Sequence, residues 1–98
     1  MTTKPPDPTR LRCCVPFCGR TRAPQDRFAE WVCPQHWTAV DKRLRRLHAG
    51  CKRAGNKAFW RKGWADVVAD PRLARMAARE IRVWARCKRQ AIERAAGI

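Results

Sequence analysis

The sequence predicts a small α+β fold that is mostly α, in which a cysteine-rich knuckle and a short β-hairpin precede about three helices. Three observations support this prediction. The chain has 98 residues, the size of one small domain. Four of its six cysteines lie within residues 13–33. Beyond residue 34, apolar side chains recur every three or four positions, as they do on amphipathic helices.

The N-terminal third carries the signals for the knuckle and the hairpin. Residues 1–12 contain three prolines and no apolar period, so we expect a flexible tail. The knuckle follows at residues 13–19, where Gly19 can take the positive φ of a tight turn. Residues 28–32 favour a short strand, which would place a hairpin between the two groups of cysteines.

Three helices are predicted from apolar periods and end signals. The first spans 34–54, with Pro34 at its first position and a stop at Gly55. The second spans 57–69, and the third spans 71–95, with Asp70 as its cap. Four tryptophans fall on the apolar stripes, so we expect them in the core: Trp37, Trp60, Trp64 and Trp84. Cys51 and Cys87 are expected as small buried apolar residues.

Cysteine and histidine spacing predicts one structural zinc ion. Cys33 and His36 are separated by two residues, so both can reach one ion from the first turn of a helix. Cys18 and either Cys13 or Cys14 would complete a tetrahedral set of three thiolates and one imidazole. The four-residue gap between Cys13 and Cys18 favours Cys13, with Cys14 as the alternative.

These motifs resemble a known family. Cys-x-Val-Pro-x-Cys-Gly, a hairpin-length gap and Trp-x-Cys-Pro-x-His-Trp at the start of a helix resemble a treble-clef zinc finger, here of the Cys3His type. More narrowly, they resemble small zinc-finger proteins encoded by bacteria and their phages. The resemblance covers residues 13–47. It implies a zinc-finger module with the first helix at 13–54, after the tail at 1–12, and a C-terminal helical part at 55–98 of the same domain.

The charge of the chain indicates a polyanionic partner. The net charge is +15. Residues 34–98 carry seventeen basic and five acidic side chains, which gives +12 for this segment. Nucleic acid, either DNA or RNA, is the favoured partner, and an acidic protein surface is the alternative. The start of the chain is polar and the apolar runs are short, so we expect no signal peptide, no membrane association and a cytoplasmic location.

Arginines at helical spacing are the candidate contacts with nucleic acid. Six of them occupy one arc of the third predicted helix, and three more lie in the first helix. Like charges three and four positions apart repel each other, and the arginine fork fits phosphate oxygens, so this face favours an anionic partner. The candidates are Arg43, Arg45, Arg46, Arg72, Arg75, Arg79, Arg82, Arg86 and Arg89.

A catalytic role is not expected. The chain has two histidines. His36 is assigned to the zinc ion, and His48 lies roughly 18 Å further along a continuous helix, at the edge of its apolar stripe. Four protein ligands would leave no open position for a catalytic water. We therefore expect a binding module or a docking adaptor, without enzymatic activity and without a small-molecule substrate.

Overall fold

The computed structural model describes residues 9–24 and 28–97. This part of the chain holds one antiparallel strand pair and four helices. In chain order they are β1 (Leu11–Arg12), β2 (Thr21–Arg22), α1 (Pro34–Trp37), α2 (Lys42–Ala58), α3 (Trp64–Ala69) and α4 (Pro71–Ala95). The predicted fold class, mostly α with a small β part, is confirmed.

The hairpin lies earlier in the chain than the sequence predicted. In the register of β1 and β2, Leu11 pairs with Arg22 and Arg12 with Thr21. The hairpin therefore encloses the knuckle instead of separating the two groups of cysteines. Residues 28–32 do not form a named strand, and Trp31 makes only an isolated parallel bridge to Cys13. Residues 1–8 of the predicted tail lie outside the described residues, and β1 takes up its last two residues.

The predicted helix 34–54 is interrupted at residues 38–41. A new helix, α2, starts there because the Asp41 carboxylate accepts a hydrogen bond from the Arg43 N–H at 2.8 Å. Two side chains of α4 bind the interrupted backbone. The Asp41 N–H donates to Gln90 Oε1 at 2.9 Å, and the Arg94 guanidinium donates to the Ala39 carbonyl. Val40 is buried between these contacts, with 2% of its surface exposed.

The second predicted helix is also shifted. Helix α2 continues to Ala58, past the stop that was predicted at Gly55. Gly55 is buried, so packing outweighs the cost of about 1 kcal/mol for glycine inside a helix. The chain then turns through residues 59–62, where Arg61 has a φ of 55°. As a result, α3 is only six residues long.

Helix α4 has the bounds that the sequence predicted. The Asp70 carboxylate accepts hydrogen bonds from the backbone N–H groups of Arg72 and Leu73, and Pro71 follows at the first position. The buried face of α4 includes one acidic residue and leaves out one large apolar residue. Glu80 is buried, with 8% exposure, whereas Ile81 is 56% exposed. No helix in the described ranges combines the length and apolarity needed to cross a bilayer.

The core joins the knuckle to the helices. Its main cluster combines Val15 and Val32 from the knuckle region with buried side chains of α2 and α4, among them Leu44, Val83 and the fully buried Cys87. Cys51, which was predicted to be buried, is half-buried and packs against the edge of this cluster. A smaller cluster of Val67, Leu73 and Ala77 lies under α3. The knuckle is thus seated on the α2–α4 pair.

Of the four tryptophans predicted in the core, two are half-buried and two are exposed. Trp37 and Trp84 are half-buried and stack with a centroid distance of 6.2 Å, and His48 lies 5.4 Å from each ring. Trp60 and Trp64 are exposed, at 70% and 64%. The predicted apolar stripe assumed one helix over 57–69. Because α3 begins at Trp64 and Trp60 lies in the preceding turn, these two rings are not on a common buried face.

Candidate metal centre and basic surface

The hairpin loop positions the first two candidate ligands. The Cys13 N–H donates to the Arg20 carbonyl at 2.9 Å, which closes the loop, and the Cys18 N–H donates to the Val15 carbonyl at 3.2 Å. Phe17 and Gly19 have positive φ angles of 67° and 74°. The chain therefore turns tightly on both sides of Cys18. The prediction of positive φ at Gly19 is confirmed, whereas positive φ at Phe17 was not foreseen.

Helix α1 positions the other two candidate ligands. Cys33 has an extended backbone and precedes Pro34, so it caps the helix. The Trp37 N–H donates to the Cys33 carbonyl at 2.8 Å, which fixes the first helical turn. His36 lies in that turn, three residues after Cys33, and therefore projects from the same side of the chain.

The structure brings Cys13, Cys18, Cys33 and His36 together. Their sulfur and imidazole nitrogen atoms all lie within 4.8 Å of one another. Cys18 Sγ is 3.7 Å from Cys33 Sγ, and His36 Nδ1 is 3.8 Å from Cys13 Sγ and 3.2 Å from Cys33 Sγ. Metal–sulfur bonds of about 2.3 Å would separate the ligand atoms of a tetrahedral site by about 3.7 Å. The donor set and its spacing fit a metal ion, so these four residues could hold one.

Cys14 lies outside this cluster. Its Sγ donates to Glu30 Oε2 at 3.8 Å, and its backbone N–H donates to the Trp31 carbonyl at 2.9 Å. Burial raises the pKa of the Cys14 thiol, and the Glu30 carboxylate adds to this effect. The Cys14 side chain is therefore held as a neutral thiol that faces Glu30. The arrangement favours Cys13 over Cys14 as the fourth candidate ligand.

Hydrogen-bond donors surround the sulfur atoms of the cluster. The Cys33 N–H donates to Cys13 Sγ at 3.3 Å. The Arg20 guanidinium donates to Cys18 Sγ at 3.6 Å and to Cys33 Sγ at 3.8 Å. Hydrogen bonds lower the pKa of the Cys18 thiol to about 6. The largest contribution comes from the backbone N–H of Arg20, and the Arg20 side chain adds a smaller one. Burial raises the pKa of Cys13.

Arg20 contacts two of the candidate ligands and was not identified from the sequence. A divalent ion with three thiolates and a neutral imidazole has a net charge of −1, and Arg20 supplies a compensating positive charge beside two of the sulfurs. The signal was present in the sequence, because Arg20 directly follows the Cys18–Gly19 turn. Only the folded loop shows that its side chain points back to the sulfurs.

The candidate phosphate contacts are divided between two faces. The six candidate arginines of α4 are all exposed, and the only ion pair that they make within the described residues joins Arg89 to Glu93 at 4.0 Å. Arg43 and Arg46 of α2 are also exposed, and Arg46 and Arg79 flank one groove of about 250 Å³ between α2 and α4. We call these eight residues the arginine face: Arg43, Arg46, Arg72, Arg75, Arg79, Arg82, Arg86 and Arg89.

Arg45 does not belong to the arginine face. It is half-buried, its Nε donates to the Val40 carbonyl at 3.0 Å, and it lines a different, larger groove. The sequence placed Arg45 with its neighbours because all three lie in one basic run. Successive residues of a helix are about 100° apart, so Arg45 and Arg46 point in different directions.

The chain matches no protein-family model, no curated protein and no solved structure. Its function is therefore inferred from the chemistry of the candidate metal cluster and the arginine face.

Proposed function

We propose that this chain is a zinc-stabilised module that binds nucleic acid through phosphate contacts made by the arginine face. The observation that carries the proposal is the row of exposed arginines on α4, of which five make no ion pair within the described residues. The role proposed is binding without catalysis.

The donor set supports zinc as the metal. Three thiolates and one imidazole in a tetrahedral arrangement suit Zn²⁺, whereas carboxylate and carbonyl oxygens suit Mg²⁺ or Ca²⁺. Cys13 and Cys18 would bind from the hairpin loop, and Cys33 and His36 from the first turn of α1. This division between a knuckle and a helix start supports a treble-clef-like zinc finger. The ion would hold the loop on the helical body, a task that a small core performs weakly alone.

The arginine face supports an extended polyanion as the partner. Arg72 to Arg89 span about 25 Å of α4 at the helical rise of about 1.5 Å per residue. Adjacent arginines repel one another, and phosphate groups would relieve this repulsion. A nucleic-acid backbone presents phosphates at regular intervals over such a length. The contacts would carry no sequence information by themselves, because phosphates are common to every sequence.

Salt dependence of binding tests this proposal. Fluorescence anisotropy with a labelled DNA duplex should give a log–log salt slope of about −5 if about six phosphates are neutralised. The triple variant Arg75→Gln, Arg79→Gln, Arg82→Gln should reduce the magnitude of the slope by about 2 to 3. A matched control removes three exposed cations elsewhere: Arg12→Gln, Lys42→Gln and Lys57→Gln.

The outcomes distinguish three explanations: DNA binding by the arginine face, attraction by net charge alone, and binding to an acidic protein. Equal losses in the two triple variants would show that net charge alone attracts DNA. A slope near zero for the wild-type protein would overturn the proposal. An acidic protein surface, the alternative partner, would be indicated by capture of a protein that survives nuclease treatment in the absence of measurable DNA or RNA binding.

A further inference from the structure

The α2–α3 turn and the first residue of α3 expose two tryptophans beside two cations. Trp60 is 70% exposed and Trp64 is 64% exposed. Arg61 and Lys62 lie between them in the chain and are both exposed. The Arg61 guanidinium lies 5.8 Å from the centroid of the Trp60 ring. Large aromatic side chains are usually buried, so two exposed rings only four residues apart indicate a contact surface.

Trp64 also forms part of a groove, which we call the aromatic groove. It has a volume of about 710 Å³, and its walls include Phe28, Trp31, Trp64 and Trp84. Four cations lie among these rings, namely Arg22, Arg45, Lys52 and Lys62. The Lys52 ammonium is 5.2 Å from the centroid of the Phe28 ring. The groove therefore combines aromatic walls with positive charge.

The acidic groups of the groove do not cancel this charge. Glu30 is neutralised by Lys88, whose ammonium is 2.8 Å from Glu30 Oε2, and its other oxygen accepts from the Trp84 indole at 3.0 Å. Glu80 also lines the groove and is 8% exposed, so the four cations of the lining outnumber its two carboxylates. With a net charge of +15, a second copy of this chain is a poor occupant. Charge complementarity instead favours an anionic occupant with flat apolar groups.

We propose that the aromatic groove and the adjoining α2–α3 turn bind single-stranded nucleic acid, with one base stacked on Trp64 in the groove and another on Trp60 in the turn. Lys62 and Arg61 would hold the phosphates. This inference rests on the proposed function and specifies its substrate. Aromatic rings stack on bases of any sequence, and a positively charged groove follows the backbone. In a duplex the base faces are covered by neighbouring base pairs. The groove would therefore select single strands, whereas the arginine face would bind either form.

Binding to three labelled probes tests this inference. The probes are a 12-nucleotide single strand, the duplex of the same length and an abasic strand with the same backbone. The variant Trp60→Leu, Trp64→Leu should bind the single strand about tenfold or more weakly and the duplex unchanged. The variant Trp60→Phe, Trp64→Phe keeps an aromatic ring at each position, so it should retain most of the affinity for the single strand.

The abasic strand identifies stacking as the source of the loss. The wild-type protein should bind it about as weakly as the leucine variant binds the normal strand, and the leucine variant should lose nothing further. Because both side chains are exposed, the variants should unfold at the wild-type temperature, which circular dichroism would check.

Several results would overturn the inference. Suppose that the leucine variant keeps its single-strand affinity, its duplex affinity and its salt slope. Base stacking on the two tryptophans would then be ruled out, whereas phosphate binding by the arginine face would still stand. Equal losses on single strand and duplex would show that the tryptophans do not select single strands. Equal losses on the single strand and on a poly-glutamate peptide would assign the groove to acidic peptides. If the wild-type protein binds neither DNA form, both proposals fail.

Discussion

The Lys88 ammonium lies 2.8 Å from the Glu30 carboxylate and joins the segment before Cys33 to the middle of α4. The Trp84 indole donates to the same carboxylate at 3.0 Å. Glu30 and Lys88 are 58 residues apart in the chain. This contact therefore helps to seat the proposed metal centre on the helical body.

Glu30→Gln should lower the free energy of unfolding by about 1 kcal/mol or less at neutral pH, because the pair is partly exposed to solvent. The hydrogen bond from Lys88 is the main cause that lowers the pKa of Glu30. A lowered carboxyl pKa stabilises the fold above the unfolded pKa of about 4.3, and this contribution is lost as the pH falls through the folded-state pKa. Urea unfolding should thus separate wild type from Glu30→Gln at pH 7 but not at low pH.

Glu93→Gln is the matched control for the Glu30 prediction. Its partner Arg89 is 4.0 Å away and its side chain is 70% exposed, so this ion pair is longer and more open to solvent than the Glu30–Lys88 pair. This variant should leave stability within about 0.5 kcal/mol of the wild type at both pH values. An equal effect of the two variants would contradict a specific role for the Glu30–Lys88 contact.

The purified protein should contain one zinc ion per chain. Structural zinc in small fingers contributes roughly 10–16 kcal/mol of apparent binding free energy at neutral pH. Strong chelation should therefore loosen the knuckle and α1, and circular dichroism would show the change. Elemental analysis should find little zinc in Cys13→Ser and a full complement in Cys14→Ser. The reverse pattern would mean that Cys14 is the ligand.

Arg20→Gln should weaken zinc binding by about 10- to 100-fold, as changes next to metal ligands commonly do. The variant keeps the backbone N–H that bonds to Cys18 but loses the guanidinium that donates to Cys18 and Cys33. The pKa of the Cys18 thiol should rise above its present value of about 6, so protons should displace the metal at a higher pH. Competition with a chromophoric chelator across pH 5–8 would measure this shift.

Arg22→Gln provides the control for Arg20→Gln, because Arg22 lies on the same hairpin and its guanidinium is near the Trp31 ring. It should leave the zinc affinity and its pH profile within twofold of the wild type. If both variants weaken zinc binding equally, the general positive charge of the hairpin is responsible instead of the contacts made by Arg20.

Val67→Ala should destabilise the fold by about 2 kcal/mol, whereas Val68→Ala should change stability by less than about 0.5 kcal/mol. Both valines lie in α3, so the gain in helix propensity on substitution by alanine is similar for each. Val67 is 4% exposed and packs with Leu73 and Ala77, whereas Val68 is 49% exposed. Chemical unfolding measures both variants. Equal effects would mean that α3 is not docked on α4.

Much of this structure was predictable because its signals are local. The bounds of α4 follow from Asp70 and Pro71, which end one helix and begin the next within two residues. The exposure of its arginines follows from their spacing of three and four. The pairing of Cys33 with His36 depends on a single turn of helix. In each case the interacting groups lie within a few residues of one another, so neighbouring positions carry the information.

The errors arose where distant residues decide the local structure. The break at residues 38–41 is stabilised by Gln90 and Arg94, which bind its backbone from α4. The extension of α2 through Gly55 depends on burial that the sequence pattern does not reveal. A turn separates α2 from α3 where the sequence predicted one continuous helix over 57–69, and Trp60 and Trp64 are therefore exposed.

By itself, the sequence determined the fold class, the two pairs of candidate ligands and the row of arginines, because each depends on spacing along the chain. Only the tertiary structure shows that Cys13 and not Cys14 faces the cluster and that Arg20 points at the sulfurs. It also shows that Trp60 and Trp64 face solvent. These features depend on which surfaces the knuckle and α4 present to each other. The packing of the whole core determines which surfaces come into contact, so no short segment of the sequence can predict them.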